Sequence, residues 1–512
     1  MSNIAFLPIA PEIVLFSAAL ILLLGHVTFG WGVRIWGWIS GAGFVAAIAL
    51  SWAQWLRIDE LGGGTLHFAF RGTNHGESLT PAIVMDHFSS FAGLLIFAVA
   101  GLAMMAGWEL VRSFERRGAE FIALALIAVS GMHLMTVSAN LITLFIGLEA
   151  ASIALYVLAG FDRTGSHSDE ASIKYFLMGS FASALFVYGV ALAFAAFGST
   201  SLYGAGSIAT PVVDSIREFD VAASVSSEPG LMLVAVALLI VGLGFKVSAA
   251  PFHQWAPDVY QGAPGGVIGL MAAGVKVAGF AAMARILVGA LDISVAKESW
   301  SHGLAVIAAV SIVIGTVLAI AQTDLKRMLA YSGVAQAGYI LTGVVAGIDG
   351  IPAMWFYLAT YTVQLVGAFG IAAIVSGPRG GPSALSEYSQ LYSRAPLLAT
   401  GLAALMLAMG GIPGTAGFIG KLAVFSAAAD GDFLWLVVIG VVAAAAGLWV
   451  YLRVIVVMFF QRDSLATLDV AGSPLQIPLL GRVVVVVTIA ATVLLGIVPW
   501  PLLNLVQHAL PL

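Results

Sequence analysis

Apolar stretches of about 20 residues, the length needed to cross a hydrocarbon layer as a helix, recur along this chain. They fall near 11–29, 36–56, 87–111, 120–138, 140–160, 171–197 and 230–250. They continue near 264–290, 301–321, 328–347, 351–376, 396–428, 433–460 and 479–505, fourteen in all. Backbone N–H and C=O groups in lipid must be satisfied within the protein, so repeated runs of this length leave one economical solution, a bundle of spanning helices. The residues therefore predict an all-α, polytopic membrane protein. Composition agrees: 61% of residues are hydrophobic and 9% charged, against roughly 25% charged in a soluble domain. The first run has no basic segment before it and no clear cleavage site, so it is read as a retained span.

Basic residues orient the bundle. With the N-terminus outside, inner loops and helix ends hold Arg34, Arg112, Arg116, Arg117, Arg163, Lys326, Arg327, Arg379, Arg394, Arg453, Arg462 and Arg482. The outer ones hold Arg57, Arg71, Arg217, Arg285 and Lys297. Twelve against five predicts that both termini face outward. Two outer connections are long, about 57–86 and 198–229. In the first, the alternation Leu66-His67-Phe68-Ala69-Phe70-Arg71 followed by Gly72 and Gly76 predicts a short hairpin.

Four lysines, Lys174, Lys246, Lys276 and Lys421, fall inside predicted spans. A charge at membrane depth costs about 2.5 kcal/mol or more, so it is expected to have a partner and a task. Lys246 stands beside Gly242, Gly244 and Pro251, which predict a break in its helix. Irregular backbone at that depth survives only when buried in protein or lining a wet cavity. A similar segment follows about 175 residues later, Met409-Gly-Gly-Ile-Pro-Gly-Thr-Ala-Gly-Phe-Ile-Gly-Lys421. Two broken helices at matching places point to a transporter of inverted repeats with its pathway at the midplane.

Each ionisable residue also has a bland reading. Glu149, about ten residues into its span, is either a packing carboxyl or the partner that keeps Lys246 charged. Lys246 with Glu149 is either a helix pin or part of an ion path. Lys276, flanked by small residues, and Lys421 are either held by backbone carbonyls or proton carriers. His253, seven residues after Lys246, would share its face on a continuous helix and serve as a relay; the bland reading is an interfacial histidine. Lys174 lies four residues after Glu170, which by itself favours an interfacial pair. His133 and Tyr339 read as core packing. There are no cysteines, which removes disulfides, iron–sulfur clusters and thiolate metal sites. Neither a metal-ligand constellation nor a phosphate loop is visible in the sequence.

Three motifs carry a resemblance over nearly the whole chain from Leu7-Pro-Ile-Ala-Pro-Glu12 onward. They are Gly147-Leu-Glu149, the run Pro251-Phe-His-Gln-Trp-Ala-Pro-Asp-Val-Tyr-Gln-Gly-Ala-Pro264, and Gly411-Ile-Pro-Gly-Thr-Ala-Gly-Phe-Ile-Gly-Lys421. Together they resemble the antiporter-like membrane subunits of respiratory complex I, the proton-pumping NADH:quinone oxidoreductase. The resemblance implies two inverted five-helix repeats, each with a broken helix. It implies helices 1–3 in residues 1–119, a first half in 120–290, a second half in 301–460 and a last helix in 461–512. By the same resemblance Glu149 pairs with Lys246, Lys276 is a connecting lysine and Lys421 a terminal one, and Lys174 and His253 fall on family positions. It further implies a translocase subunit in the cytoplasmic membrane without a redox centre of its own. The NADH, FMN, iron–sulfur clusters and quinone of such a complex belong to other subunits, among them sister antiporter-like chains. A subunit of a multi-subunit cation/proton antiporter, or a scaffold subunit, remains the rival reading.

Overall fold

The computed structural model describes residues 6–61, 67–69, 73–74, 77–78, 81–162, 166–197, 199–203, 229–292, 294–377, 383–461 and 475–511. The spanning helices of the N-terminal part are α1 (Ala10–Phe29), α2 (Val33–Glu60) and α3 (His87–Ala106). They are followed by α4 (Gly118–Val137), α5 (Leu141–Ala159) and α6 (Ser166–Phe197). The seventh span is broken into α7 (Pro229–Val247) and α8 (Trp255–Gly262). Then come α9 (Gly265–Ala290), α10 (Ser294–Ala321), α11 (Leu325–Val345) and α12 (Ile351–Ser376). A second broken span consists of α13 (Pro396–Gly410) and α14 (Ala416–Asp430), before α15 (Leu434–Phe459) and α16 (Leu479–Ile497). Among the described residues, thirteen helices are long and apolar enough to cross a membrane; with α13 and α14 counted as one broken crossing, the fourteen expected spans are all present.

The span expected over 479–505 ends earlier, at Ile497, and α17 (Trp500–His508) follows as a separate helix. Pro499 and Pro501 lack N–H groups, which stops the first helix and suits the start of the second. Between α2 and α3 the predicted hairpin takes the form of two small antiparallel ladders. One pairs β1 (His67–Ala69) with β4 (Ile83–Met85), and the other pairs β2 (Thr73–Asn74) with β3 (Glu77–Ser78). Leu66, Phe70, Arg71, Gly72 and Gly76 lie outside the described residues, as do Arg163, Arg217, Arg379 and Arg462 of the orientation count.

An internal repeat is visible in the backbone. Asn140 caps α5 through the N–H of Ile142 (2.8 Å), and Asp324 caps α11 through the N–H of Arg327 (3.0 Å). Each cap residue also forms an isolated β-bridge with the segment after the next helix, Asn140 with Ser201 and Asp324 with Ala384. Gly131 of α4 rests on the backbone of Ala151 in α5; Gly315 of α10 rests on that of Ala335 in α11. All three positions recur after 184 residues, 131 to 315, 140 to 324 and 151 to 335. Five spans separate the two caps, an odd number, so the repeats lie inverted in the membrane. Where glycine faces backbone this closely, neighbouring helices approach as far as their main chains allow.

Burial places the site. Every residue in the most apolar window of α9 is buried, whereas those of α2 and α15 bury only 28% each. Val45, Trp38, Val441 and Trp449 on those outer helices are exposed. Those side chains are placed to meet lipid, whereas Lys276 and Arg285 lie on buried α9 and Lys246 ends the helix that packs against it.

Candidate functional site

The chain leaves helical geometry after Val247, at Ser248 (φ 61°). Several of the freed backbone groups find partners within the protein. Ala249 N–H donates to the Gly244 carbonyl (2.8 Å) and Trp255 Nε1 to that of Phe245 (3.0 Å). Ala250 N–H donates to Ser311 Oγ (2.8 Å) on α10. The carbonyl of Val247 accepts from Lys276 Nζ (3.1 Å). These bonds satisfy the break from inside the protein, as the hydrocarbon environment demands.

Lys246 occupies the last turn of α7 and is 3% exposed. Its Nζ donates to Ser152 Oγ on α5 (2.6 Å) and lies over the rings of Tyr156 (5.6 Å) and Phe245 (5.5 Å). Glu149, one turn before Ser152, accepts a hydrogen bond from Ser183 of α6. The expected pair is therefore coupled through space without a direct ion pair: the ammonium donates to Ser152, and the carboxylate accepts from Ser183. His253 departs from its expectation too. The turn between α7 and α8 removes the continuous helix on which it would share a face with Lys246. It is buried in that turn, its ring 6.2 Å from that of Tyr331 on α11.

Lys276 joins the two halves. Beside its bond to Val247 it donates to the Gly333 carbonyl of α11 (2.7 Å), with the Tyr361 ring 6.0 Å away. Lys421 caps the second break from within, donating to the carbonyls of Met409 and Gly410, each at 3.0 Å. Gly411 turns left-handed there (φ 84°), and a Cβ on it would stand 3.2 Å from the ammonium nitrogen. The echo between the two breaks is thereby redrawn. Lys246 precedes its break and Lys421 follows its own, so Lys276 rather than Lys246 plays the capping part of Lys421. In each case an ammonium meets the carbonyl end of a half-helix, where the backbone dipoles favour positive charge.

Between Lys276 and Lys421 lies a polar cluster absent from the sequence reading. Gln336 Nε2 donates to Met409 O (3.2 Å) and Tyr451 OH (3.0 Å), while Tyr357 OH donates to its Oε1. Ser332 and Tyr451 share a hydroxyl contact of 2.5 Å. Beside them a narrow cavity of about 20 Å³, lined by Thr316, Ser332, Gln336, Tyr339, Lys421 and Tyr451, has room for about one water. No residue here carries a charge except the lysine, which is why a search for ionisable residues passes over the others.

Lys174 stands apart from this axis. It pairs with Glu170 (2.7 Å) and with Asp258 of α8 (2.8 Å), which also meets Arg327 of α11 (2.6 Å). The side chains of Lys174, Asp258 and Arg327 are 41%, 34% and 27% exposed, so the pair expected from the i, i+4 spacing is one edge of a wider surface network. Two buried pairs were also missed. Arg285, counted among the outer basic residues, is 0% exposed and holds Asp86 with two hydrogen bonds (2.9 and 3.0 Å) and the Thr136 carbonyl (3.0 Å). His133 Nδ1 lies 2.8 Å from Glu12. The Asp86-x-x-Ser89 capping box that opens α3 was the one local signal for the former.

The family model described as NADH:quinone oxidoreductase/Mrp antiporter, TM, matches residues 138–447. A protein of Trichlorobacter lovleyi named NADH-quinone oxidoreductase subunit N is 35% identical over 509 residues, 98% of this chain and 96% of that protein. One of Mycobacterium tuberculosis with the same name is 41% identical over 417 residues, covering 80% of this chain and 75% of the relative. Among solved structures, a chain of respiratory complex I from Thermus thermophilus with bound aureothin superimposes with a TM-score of 0.75. It is 29% identical and the alignment covers 97% of this chain and 99% of that one.

Proposed function

This chain belongs to the NADH:quinone oxidoreductase/Mrp antiporter transmembrane family, and from that premise we propose that it is the N-type proton-translocating subunit of an NADH:quinone oxidoreductase. The observation that carries the reading is the row of buried amines set against the two helix breaks. Lys246 meets Ser152, Lys276 meets Val247 and Gly333, and Lys421 meets Met409 and Gly410. Each ammonium is held by neutral oxygens. Such a site accommodates the protonated amine by hydrogen bonding, and at Lys276 and Lys421 it lets the amine go neutral without stranding a buried counter-charge.

A proton enters the first half from the inner side and is taken up by Lys246. Glu149 sets how firmly Lys246 holds it, through space and through the serines on both sides. The proton passes to Lys276, whose oxygen partner Val247 adjoins Lys246. From there it moves along the Ser332, Gln336 and Tyr451 hydroxyl and amide groups and intervening water to Lys421, and leaves on the outer side. His253 faces the same interior from the first turn. The connection of Lys174 to this route is through the surface network at Asp258.

In this reading residues 1–119, 120–290, 301–460 and 461–512 are the N-terminal helices, two antiporter-like halves and a final helix. The chain lies in the cytoplasmic membrane with both termini outward, beside sister antiporter-like subunits. It carries no redox centre; NADH, FMN, iron–sulfur clusters and quinone belong to the other subunits, whose chemistry drives the transfer. Purification in mild detergent tests this reading. Flavin- and iron–sulfur-bearing partners, together with NADH-driven pumping sensitive to quinone-site inhibitors, are expected. Recovery with cation-antiporter subunits alone, and inhibitor-insensitive transport, would identify a cation/proton antiporter instead.

A further inference from the structure

Outside the lysine axis, three buried polar side chains from three helices converge in the N-terminal part of the bundle. Glu12 comes from the first turn of α1, Ser51 from α2 and His133 from α4. Ser51 and His133 are 0% exposed, and the Glu12 side chain is 12% exposed. His133 Nδ1 faces a Glu12 oxygen at 2.8 Å, but neither is aligned for a hydrogen bond. Both ring nitrogens, both Glu12 oxygens and Ser51 Oγ are without hydrogen-bond partners among the described residues. Five such atoms in one place are far above what a folded interior tolerates unless something satisfies them.

Gly93 of α3 closes the group. A Cβ there would stand 2.6 Å from His133 Nε2 and 2.8 Å from Ser51 Oγ. Those two atoms are thus no farther apart than the two distances combined, a span that one bridging water closes. The other polar groups nearby are already engaged. Gln54 donates to the Leu7 carbonyl (2.7 Å), His87 pairs with Asp59 (2.9 Å), and Arg285 with Asp86. The Thr136 hydroxyl donates to the His133 carbonyl (2.8 Å), and the Phe97 ring packs 4.9 Å from the imidazole.

We propose that Glu12, His133 and Ser51 form a second buried proton-binding site, in which carboxyl and imidazole share a proton and a bridging water joins Nε2 to Ser51. One proton on the pair leaves it neutral overall, either as acid and imidazole or as carboxylate and imidazolium. That is the state an apolar interior favours. Glu12, alone partly exposed, is the member through which a proton is exchanged.

The test uses the assembled complex and does not depend on pumping, so it stands or falls separately from the lysine route. High-resolution electron cryo-microscopy is expected to show a water within hydrogen-bonding reach of Nε2 and Ser51 Oγ. Infrared difference spectra across pH are expected to show a titrating carboxyl band that disappears in Glu12→Gln. A direct, aligned Glu12–His133 bond without water, or an unchanged band in Glu12→Gln, would overturn the proposal. Should Glu12→Gln not assemble, Ser51→Ala keeps both titratable groups. It is expected to lose the water and shift the midpoint of the carboxyl band, and an unshifted midpoint would equally overturn it.

Discussion

Lys276 Nζ lies 3.1 Å from the carbonyl oxygen of Val247, the residue that follows Lys246 and ends the first half of the broken span. One buried amine therefore holds the backbone that the break beside another buried amine sets free. Replacing Lys276 by Met takes the donor from the buried Val247 carbonyl at the broken helix end, while the Gly333 carbonyl keeps its place in the α11 ladder. Such a loss costs about 1–3 kcal/mol. Lys276→Met is expected to lower the thermal stability of the assembled complex and to abolish proton pumping. A variant that pumps at the parental rate per electron would remove Lys276 from the route.

The Glu149, Ser152 and Lys246 cluster separates a relay from a pin. In a pin, Glu149→Gln with Lys246→Met is mild, because a buried charge pair exchanged for neutral groups is often tolerated, whereas single changes strand a charge at about 3–5 kcal/mol. In a relay the double variant assembles but does not pump, since no balance of charge restores a site that binds a proton. Pumping and NADH:quinone turnover in membranes distinguish these, and a double variant that pumps normally makes Lys246 structural.

Gln336 is the neutral bridge to the second break. Gln336→Leu removes its bonds to Met409, Tyr451 and Tyr357 while keeping similar bulk. Assembly is expected to survive with a several-fold loss of pumping. The conservative Gln336→Glu, which keeps an acceptor for Tyr357, should recover part of it. Equal activity in parent and Leu variant would place the route elsewhere.

The surface network behaves differently. Asp258→Asn cuts two ion pairs, but all three side chains are partly open to solvent, so the cost is about 0–1 kcal/mol per pair and shrinks with added salt. Denaturation midpoints at low and high ionic strength check this. A large, salt-independent loss would mean that Asp258 is buried in the assembly.

Gly315 in α10 faces the backbone of Ala335 in α11. Gly315→Leu is expected to push the pair apart and prevent assembly, while Ala adds a Cβ that the main chain cannot yield to, at about 1–3 kcal/mol. Normal yields of the Leu variant would show that the helices do not need this approach.

The spans were legible because hydrocarbon thickness fixes their length, and the breaks because Gly242, Gly244 and Pro251, or Gly410, Gly411 and Pro413, oppose helix locally. The lysines were legible because charge in an apolar run is conspicuous. The serines, Gln336 and Tyr451 were not, since neutral polar residues are common in spans and matter only by what they face. Arg285 misled the orientation count for a related reason. Its position near the end of an apolar run suggested a loop, but a buried partner, Asp86, lies 199 residues away in sequence.

The sequence by itself determined an all-α bundle, the count of its spans, the two breaks and the identity of the buried amines. All of these follow from local rules of hydrophobicity, chain stiffness and charge. Tertiary structure decided which oxygens meet each amine, that Lys246 donates to Ser152 and not to Glu149, and that Lys276 and Lys421 cap the broken ends. It also took His253 off the Lys246 face and gathered Glu12, Ser51 and His133. Those are distances between residues far apart along the chain, and only the packing of helices against one another sets them.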